Sequence, residues 1–166
     1  MAWIKEKIKI RKGYNRQQRK IIGQEIIDFI IERTQSGKDK RNSAFPSYSK
    51  SYKDSKEFEI AGKSSKVNLS LSEEMLNSIE LLSHSDGEVV VGFNRNDSRN
   101  NGVAEGNIKG TYGQASPIPG KKRDFLGITA GDKGEIQDKY PLRNKKKLSA
   151  AVADFLLASE AAEDII

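Results

Sequence analysis

The stretch Ile79-Glu80-Leu81-Leu82-Ser83-His84-Ser85-Asp86-Gly87-Glu88-Val89-Val90-Val91-Gly92-Phe93 decides how this chain folds. Val89-Val90-Val91 favours an extended strand, and Asp86-Gly87 offers the positive backbone angles that a tight turn needs. The stretch therefore reads as a β-hairpin with arms Ile79–His84 and Glu88–Phe93.

Immediately upstream, Ser70 or Ser72 is placed to cap a short helix carrying Met75, Leu76 and Ile79, with Glu73 and Glu74 near its positive end. At the N-terminus, Trp3, Ile4, Ile8 and Ile10 stand among lysines in partial alternation, which predicts a short strand with one buried face. Lys12-Gly13 is a turn, and Asn15 is a suitable N-cap for a helix over residues 16–34. There Ile22, Ile26, Phe29, Ile30 and Arg33 recur at three-to-four spacing, and Gly37 suits the end.

Between that helix and residue 66 the chain is polar and basic, and it reads as a long loop, 37–66, containing Phe45, Tyr48, Tyr52 and Phe58. These rings anchor the loop either to a partner or to the protein's own core. Downstream of the hairpin, residues 94–122 are rich in Asn and Gly and read as a second long loop, with a helical turn over Val103–Ile108. Arg123–Ile128 is expected as a short strand or extended edge. Asp132–Tyr140 reads as a short helix halted before Pro141. Lys145–Ile166 is expected to form an amphipathic helix with Leu148, Val152, Phe155 and Leu156 on one side. The expected organisation is one domain over 1–140 and a helical extension over 141–166.

Of the 166 residues, 36% are apolar and 31% charged, a balance that leaves a thin core for the length. Residues 1–66 hold 17 Lys/Arg against 8 Asp/Glu, whereas residues 67–140 hold 8 against 11. Such segregation attracts nucleic acid, or lets a basic face of one copy meet an acidic face of the next. No apolar run approaches the roughly 20 residues that span a bilayer, and Met1–Ile10 is not a signal-peptide block, so no membrane partner is expected.

The absence of cysteine excludes disulfides, thiolate metal sites and cysteine nucleophiles. The single histidine, His84, reads as a solvated turn residue and cannot build a multi-histidine metal site. Ala61-Gly62-Lys63-Ser64-Ser65 echoes the end of a phosphate loop, but Glu57 stands where that loop needs its first glycine. No constellation of catalytic residue types is visible, and neither enzyme activity nor a cofactor is expected. One binding chemistry is present. Lys38, Lys40, Arg41, Lys50, Lys53 and Lys56 interleave with Phe45, Tyr48 and Tyr52, the mixture of cation and stacking platform that single-strand nucleic-acid binders use.

An ordered run of segments resembles the virion-morphogenesis or tail-completion proteins of the head–tail neck of tailed phages. The run comprises the long N-terminal helix, Phe45-Pro46-Ser47-Tyr48-Ser49, Leu71-Ser72-Glu73-Glu74-Met75-Leu76-Asn77-Ser78-Ile79, Val89-Val90-Val91-Gly92-Phe93, Val103-Ala104-Glu105-Gly106 and Arg123-Asp124-Phe125-Leu126-Gly127. It covers about residues 16–140. The chain departs from the family pattern at Glu73-Glu74, in the Asn-rich stretch 94–101 and in the added C-terminal helix.

The resemblance implies an α+β subunit, with a long N-terminal helix packed on a small antiparallel sheet. It implies no enzyme activity. The expected partners are copies of the chain in a hexameric or dodecameric ring, neighbouring connector, tail-terminator or tail proteins, and transiently the DNA in the lumen. The location implied is the virion, assembled in the host cytoplasm. Phe45, Tyr48, Tyr52, Arg123, Phe125, Phe155 and Leu156 are the expected interface residues, with Arg123 and Phe125 ordering the subunit rather than touching a ligand.

Overall fold

A computed structural model of the chain describes residues 2–60, 62, 67, 69, 73–112 and 114–142. Its elements run β1 (Lys5–Lys9), α1 (Arg16–Gln35), α2 (Lys50–Lys53), α3 (Lys56–Ile60), α4 (Glu73–Asn77), β2 (Glu80–Ser85), β3 (Glu88–Gly92), α5 (Ser98–Lys109) and α6 (Ala130–Asp138). The fold is α+β, with a three-stranded antiparallel sheet in the order β1-β3-β2. The amphipathic helix expected over Lys145–Ile166 and the caps at Ser70 and Ser72 lie outside the described residues.

The hairpin turns at Asp86-Gly87, with Ser85 opposite Glu88. Of the two turn residues, Gly87 alone takes a positive φ, 84°. Asp86 contributes through its side chain instead, its carboxylate accepting from the Gly13 amide at 2.8 Å and tying the hairpin tip to the turn before α1. His84 belongs to strand β2, opposite Val89, and is half-buried with its Nδ1 enclosed. It is therefore a strand residue rather than the solvated turn histidine expected.

Register divides the sheet into two unlike faces. Ile8 pairs with Val89, and Val89, Val91 and Phe93 point with it into the core, while Lys5, Lys7 and Lys9 point the other way and are exposed. Helix α1 covers the apolar face, burying Ile22, Ile26, Ile27 and Ile30 almost completely. Each such side chain contributes about 1.5–3 kcal/mol through removal from water. Helix and sheet approach closely at Gly23, where a Cβ would fall 2.6 Å from Leu81 Cδ1. The helix starts at a capping box in which Asn15 Oδ1 accepts from the Gln18 amide and Gln18 Oε1 from the Asn15 amide.

The stretch 94–122 is not one long loop, because residues 98–109 form α5. Its Asn residues read as loop formers, since their side chains compete for backbone hydrogen bonds. Here those side chains have tertiary partners. Asn101, 2% exposed, donates to the carbonyls of Asn94 and Asp97 and accepts from the Ile4 amide. Asn100 donates to Asp97 and to the Ser78 hydroxyl. Asp97 caps the helix by accepting from the Asn100 amide. The basic loop 37–66 likewise contains α2 and α3, capped by Ser49 and Ser55. Arg123–Ile128, expected as a short strand or extended edge, takes no regular secondary structure, bends at Leu126 and joins no strand ladder. Helix α6 begins earlier than expected because Thr129 caps it, accepting from the Asp132 amide.

Replacing Asn101 with Ala should destabilise the fold by about 2–4 kcal/mol in urea denaturation, since it strands an amide and two carbonyls. Glu6 gives a second test. It stands on the core side of β1, where burial pushes its carboxyl above the usual range; Lys40 opposes this and Asp124 reinforces it. A folded-state value above the unfolded one means that Glu6 favours folding only while protonated, and that this contribution is lost as pH rises through the folded value. Glu6→Gln should therefore raise the Tm at pH 7, and the gain should vanish below about pH 4. A gain independent of pH would contradict this assignment.

Candidate functional site

Three segments far apart in sequence converge on Arg123. The first is the end of α5, where Gly110 closes the helix in the left-handed conformation at φ 74°. A Cβ at Gly110 would sit 3.0 Å from the Lys122 amide nitrogen and 3.2 Å from its Cα, so glycine meets both a backbone and a packing requirement. The bonds from the Ile118 amide to the Gly110 carbonyl and from the Lys121 amide to the Ile118 carbonyl fold the following loop back on itself. Tyr112 is held in that loop at φ 46°.

The second segment is the loop before α2 together with α2 and α3. Tyr48, Tyr52 and Phe58 form a closed triangle of tilted and edge-to-face rings with centroids 5.2, 5.7 and 5.5 Å apart, the arrangement that aromatic quadrupoles prefer. The third is the irregular run from Arg123. Its backbone is fixed by the Arg123 amide donating to the Asn107 carbonyl at 2.7 Å and the Lys40 amide donating to the Asp124 carbonyl at 2.9 Å. An ion pair between Lys40 and Asp124 at 2.9 Å supports the same contact.

At the meeting point the guanidinium of Arg123 lies 5.1 Å from the ring centre of Tyr48 and 5.7 Å from that of Tyr112. Its Nη1 donates to the Tyr112 hydroxyl, which in turn can donate to Asn107 Oδ1 at 3.1 Å or the Lys121 carbonyl at 2.9 Å. Beside this stack is a cavity of about 280 Å³, lined by Tyr48, Tyr52, Tyr112, Ile118, Lys121 and Arg123. Two enclosed polar atoms of the lining, Arg123 Nε and the Tyr52 hydroxyl, have no hydrogen-bond partner among the described residues. Burial pushes the phenols of Tyr52 and Tyr112 up, and in both the nearby charge of Arg123 opposes the shift. Both hydroxyls are therefore donors at neutral pH.

Of the residues singled out from sequence, the pocket brings together Tyr48, Tyr52 and Arg123. Phe45 and Phe125 do not reach it as lining residues; both are buried in the subunit's own core, Phe125 completely. In the isolated chain these two offer almost no exposed contact area. Phe155 and Leu156 lie outside the described residues. Tyr112, Ile118 and Lys121 were not singled out, although lone apolar side chains in Gly110-Thr111-Tyr112-Gly113 and Pro117-Ile118-Pro119 are a signal that such a loop folds back onto something. Among the described residues no group of three His, Asp or Glu side chains is placed to hold a metal ion, and no helix is long and apolar enough to cross a membrane.

Tyr112→Phe removes the acceptor for Arg123 Nη1 and should cost about 1–2 kcal/mol of stability in urea denaturation; an unchanged midpoint would mean that the hydroxyl has no role in holding the arginine. No protein-family model, curated protein or solved structure matches the chain.

Proposed function

We propose that the chain is a non-enzymatic structural subunit of a tailed-phage virion, a neck or tail-completion protein that closes with copies of itself into a ring at the head–tail junction. The observation that carries this reading is where the segments of the resemblance fall. Each supplies core side chains: Ile22, Ile26 and Ile30 from α1, Phe45 and Tyr48 from the basic loop, Met75, Leu76 and Ile79 around α4, Val89, Val91 and Phe93 from the strand, Ala104 from α5, and Phe125 and Leu126 from the irregular run. A resemblance made of core-forming segments in a fixed order bears on architecture rather than on scattered surface positions.

The surface agrees with a subunit that is completed by neighbours. Trp3, Ile21, Ile60, Val103, Tyr112 and Leu142 are all large apolar residues left exposed, and the basic and acidic halves of the sequence can meet between copies. The alternative, single-stranded nucleic acid stacking on the loop 37–66, draws less support. Phe45 and Tyr48 are 7% exposed each, and the Tyr52 ring is spent on its aromatic neighbours, although Lys38, Arg41, Lys50, Lys53 and Lys56 remain at the surface.

Light scattering after size exclusion tests the reading on the full chain with and without DNA. A discrete oligomer without DNA is expected, and Phe155→Ser with Leu156→Ser should reduce its mass while leaving the circular dichroism of the subunit unchanged. A chain that stays monomeric alone and gains mass only with DNA, in a manner that weakens steeply with salt, would replace the structural reading with the nucleic-acid one.

A further inference from the structure

Among the described residues two arginines are buried, neither with a carboxylate within ion-pair distance, and their hydrogen-bond partners differ. Arg33, 5% exposed, donates to the carbonyls of Phe125 and Gly127, and Asp132, Asp39 and Asp124 stand close enough to act on its charge. Arg123, 6% exposed, has no carboxylate within ion-pair distance among the described residues. Among the described residues its guanidinium meets one phenol hydroxyl and two aromatic rings. A guanidinium withdrawn from water without an anion is expensive, and such charges are ordinarily paired. Arg123 nonetheless lines a cavity that also encloses a second unpartnered donor, the Tyr52 hydroxyl.

We infer that this pocket is a carboxylate-recognition site whose occupant carries a single carboxylate on an aromatic or apolar body. The lining sets the chemistry. One buried positive charge matches one negative charge, and a guanidinium presents paired N–H groups in the plane that a carboxylate needs. Tyr52 supplies a further donor, and Lys121, half-exposed, can approach the second oxygen from the rim. The lining exposed by Tyr48, Tyr52, Tyr112 and Ile118 is mostly apolar and suits a ring or a short aliphatic chain. A phosphate dianion would bring two charges to walls that are mostly apolar. The volume, about 280 Å³, lies near the lower end of the range for small-molecule sites. The inference stands apart from the assembly reading, since a pocket can bind an acid whether or not the chain forms a ring.

The test uses the full chain, benzoate as the probe and benzamide as its uncharged counterpart. In nuclear magnetic resonance, benzoate should move the Arg123 Nε–H signal saturably with a Kd on the order of 1 mM, and benzamide should bind at least about tenfold more weakly for want of the charge. Ile118→Trp, at a half-exposed loop position, should fill the cavity and abolish the response in a folded protein; Arg123→Gln should also abolish it. Because Arg123→Gln can unfold the loop, Ile118→Trp is the deciding variant. No saturable response to benzoate, an equal response to benzamide, or a response surviving in folded Ile118→Trp would overturn the inference. Light scattering at saturating benzoate then separates two sources of the carboxylate. A fall in mass assigns it to an Asp or Glu side chain of a neighbouring copy, and unchanged mass assigns it to a free organic acid.

Discussion

The guanidinium of Arg33 joins the two halves of this molecule. It leaves the last turns of α1, is almost wholly buried, and donates to the backbone carbonyls of Phe125 and Gly127. Those two bonds fix an irregular segment that no strand ladder supports. Once Phe125 and Leu126 are held there they complete the core beneath α1, and Asp124 meets Lys40 while Arg123 reaches Tyr48 and Tyr112. Burial lowers the tendency of Arg33 to stay charged, and Asp132, Asp39 and Asp124 offset only part of that cost. A segment with few backbone partners of its own thus borrows order from a helix fixed early in the sequence, and the pocket inherits that order.

What the sequence discloses about this arrangement follows from how local each signal is. The β3 strand and its turn rest on adjacent residues, Val89-Val90-Val91 and Asp86-Gly87, and the Asn15 cap rests on Gln18 three positions on. All of these act within one turn of chain. Helix α5 was hidden because its stabilisation is not local: Asn100 and Asn101 are poor helix formers on propensity, and their partners Ser78 and Ile4 lie 22 and 97 residues away. Arg33 could be seen as a member of a helical stripe, but its burial could not be foreseen without knowing that carbonyls 92 and 94 residues distant would come to it.

The candidate site was half legible for the same reason. Tyr48 and Tyr52 stood out as rings in a polar loop, and Arg123 stood out through its neighbours in the resemblance. What joins them is Gly110, whose left-handed backbone and close approach to Lys122 let the α5 loop bring Tyr112 onto the far side of the guanidinium. A glycine followed by Thr111-Tyr112-Gly113 reads from sequence as a turn. That the turn would deliver a ring to an arginine eleven residues later depends on the path of the intervening loop.

The sheet constrains how any assembly could be built. Its outer strands, β1 and β2, have no further strand beside them among the described residues, and open edges invite addition of a strand from another chain. Both edges carry features that oppose this. On β1 every second residue is an exposed lysine, and Lys5 Nζ is drawn 3.7 Å from the ring centre of Trp3, whose indole N–H is already given to the Phe93 carbonyl. On β2 the register slips between Leu81 and Ser83, which interrupts the regular row of amides and carbonyls that a new strand would need. Copies that pack through sheet edges would have to bring three lysines together or bridge the bulge. Contacts through side chains on helices and loops avoid both costs. In a ring of such subunits the sheet would then act as an internal scaffold, leaving the exposed apolar residues, Val103 on α5 and Tyr112 beside the pocket among them, to meet the neighbour.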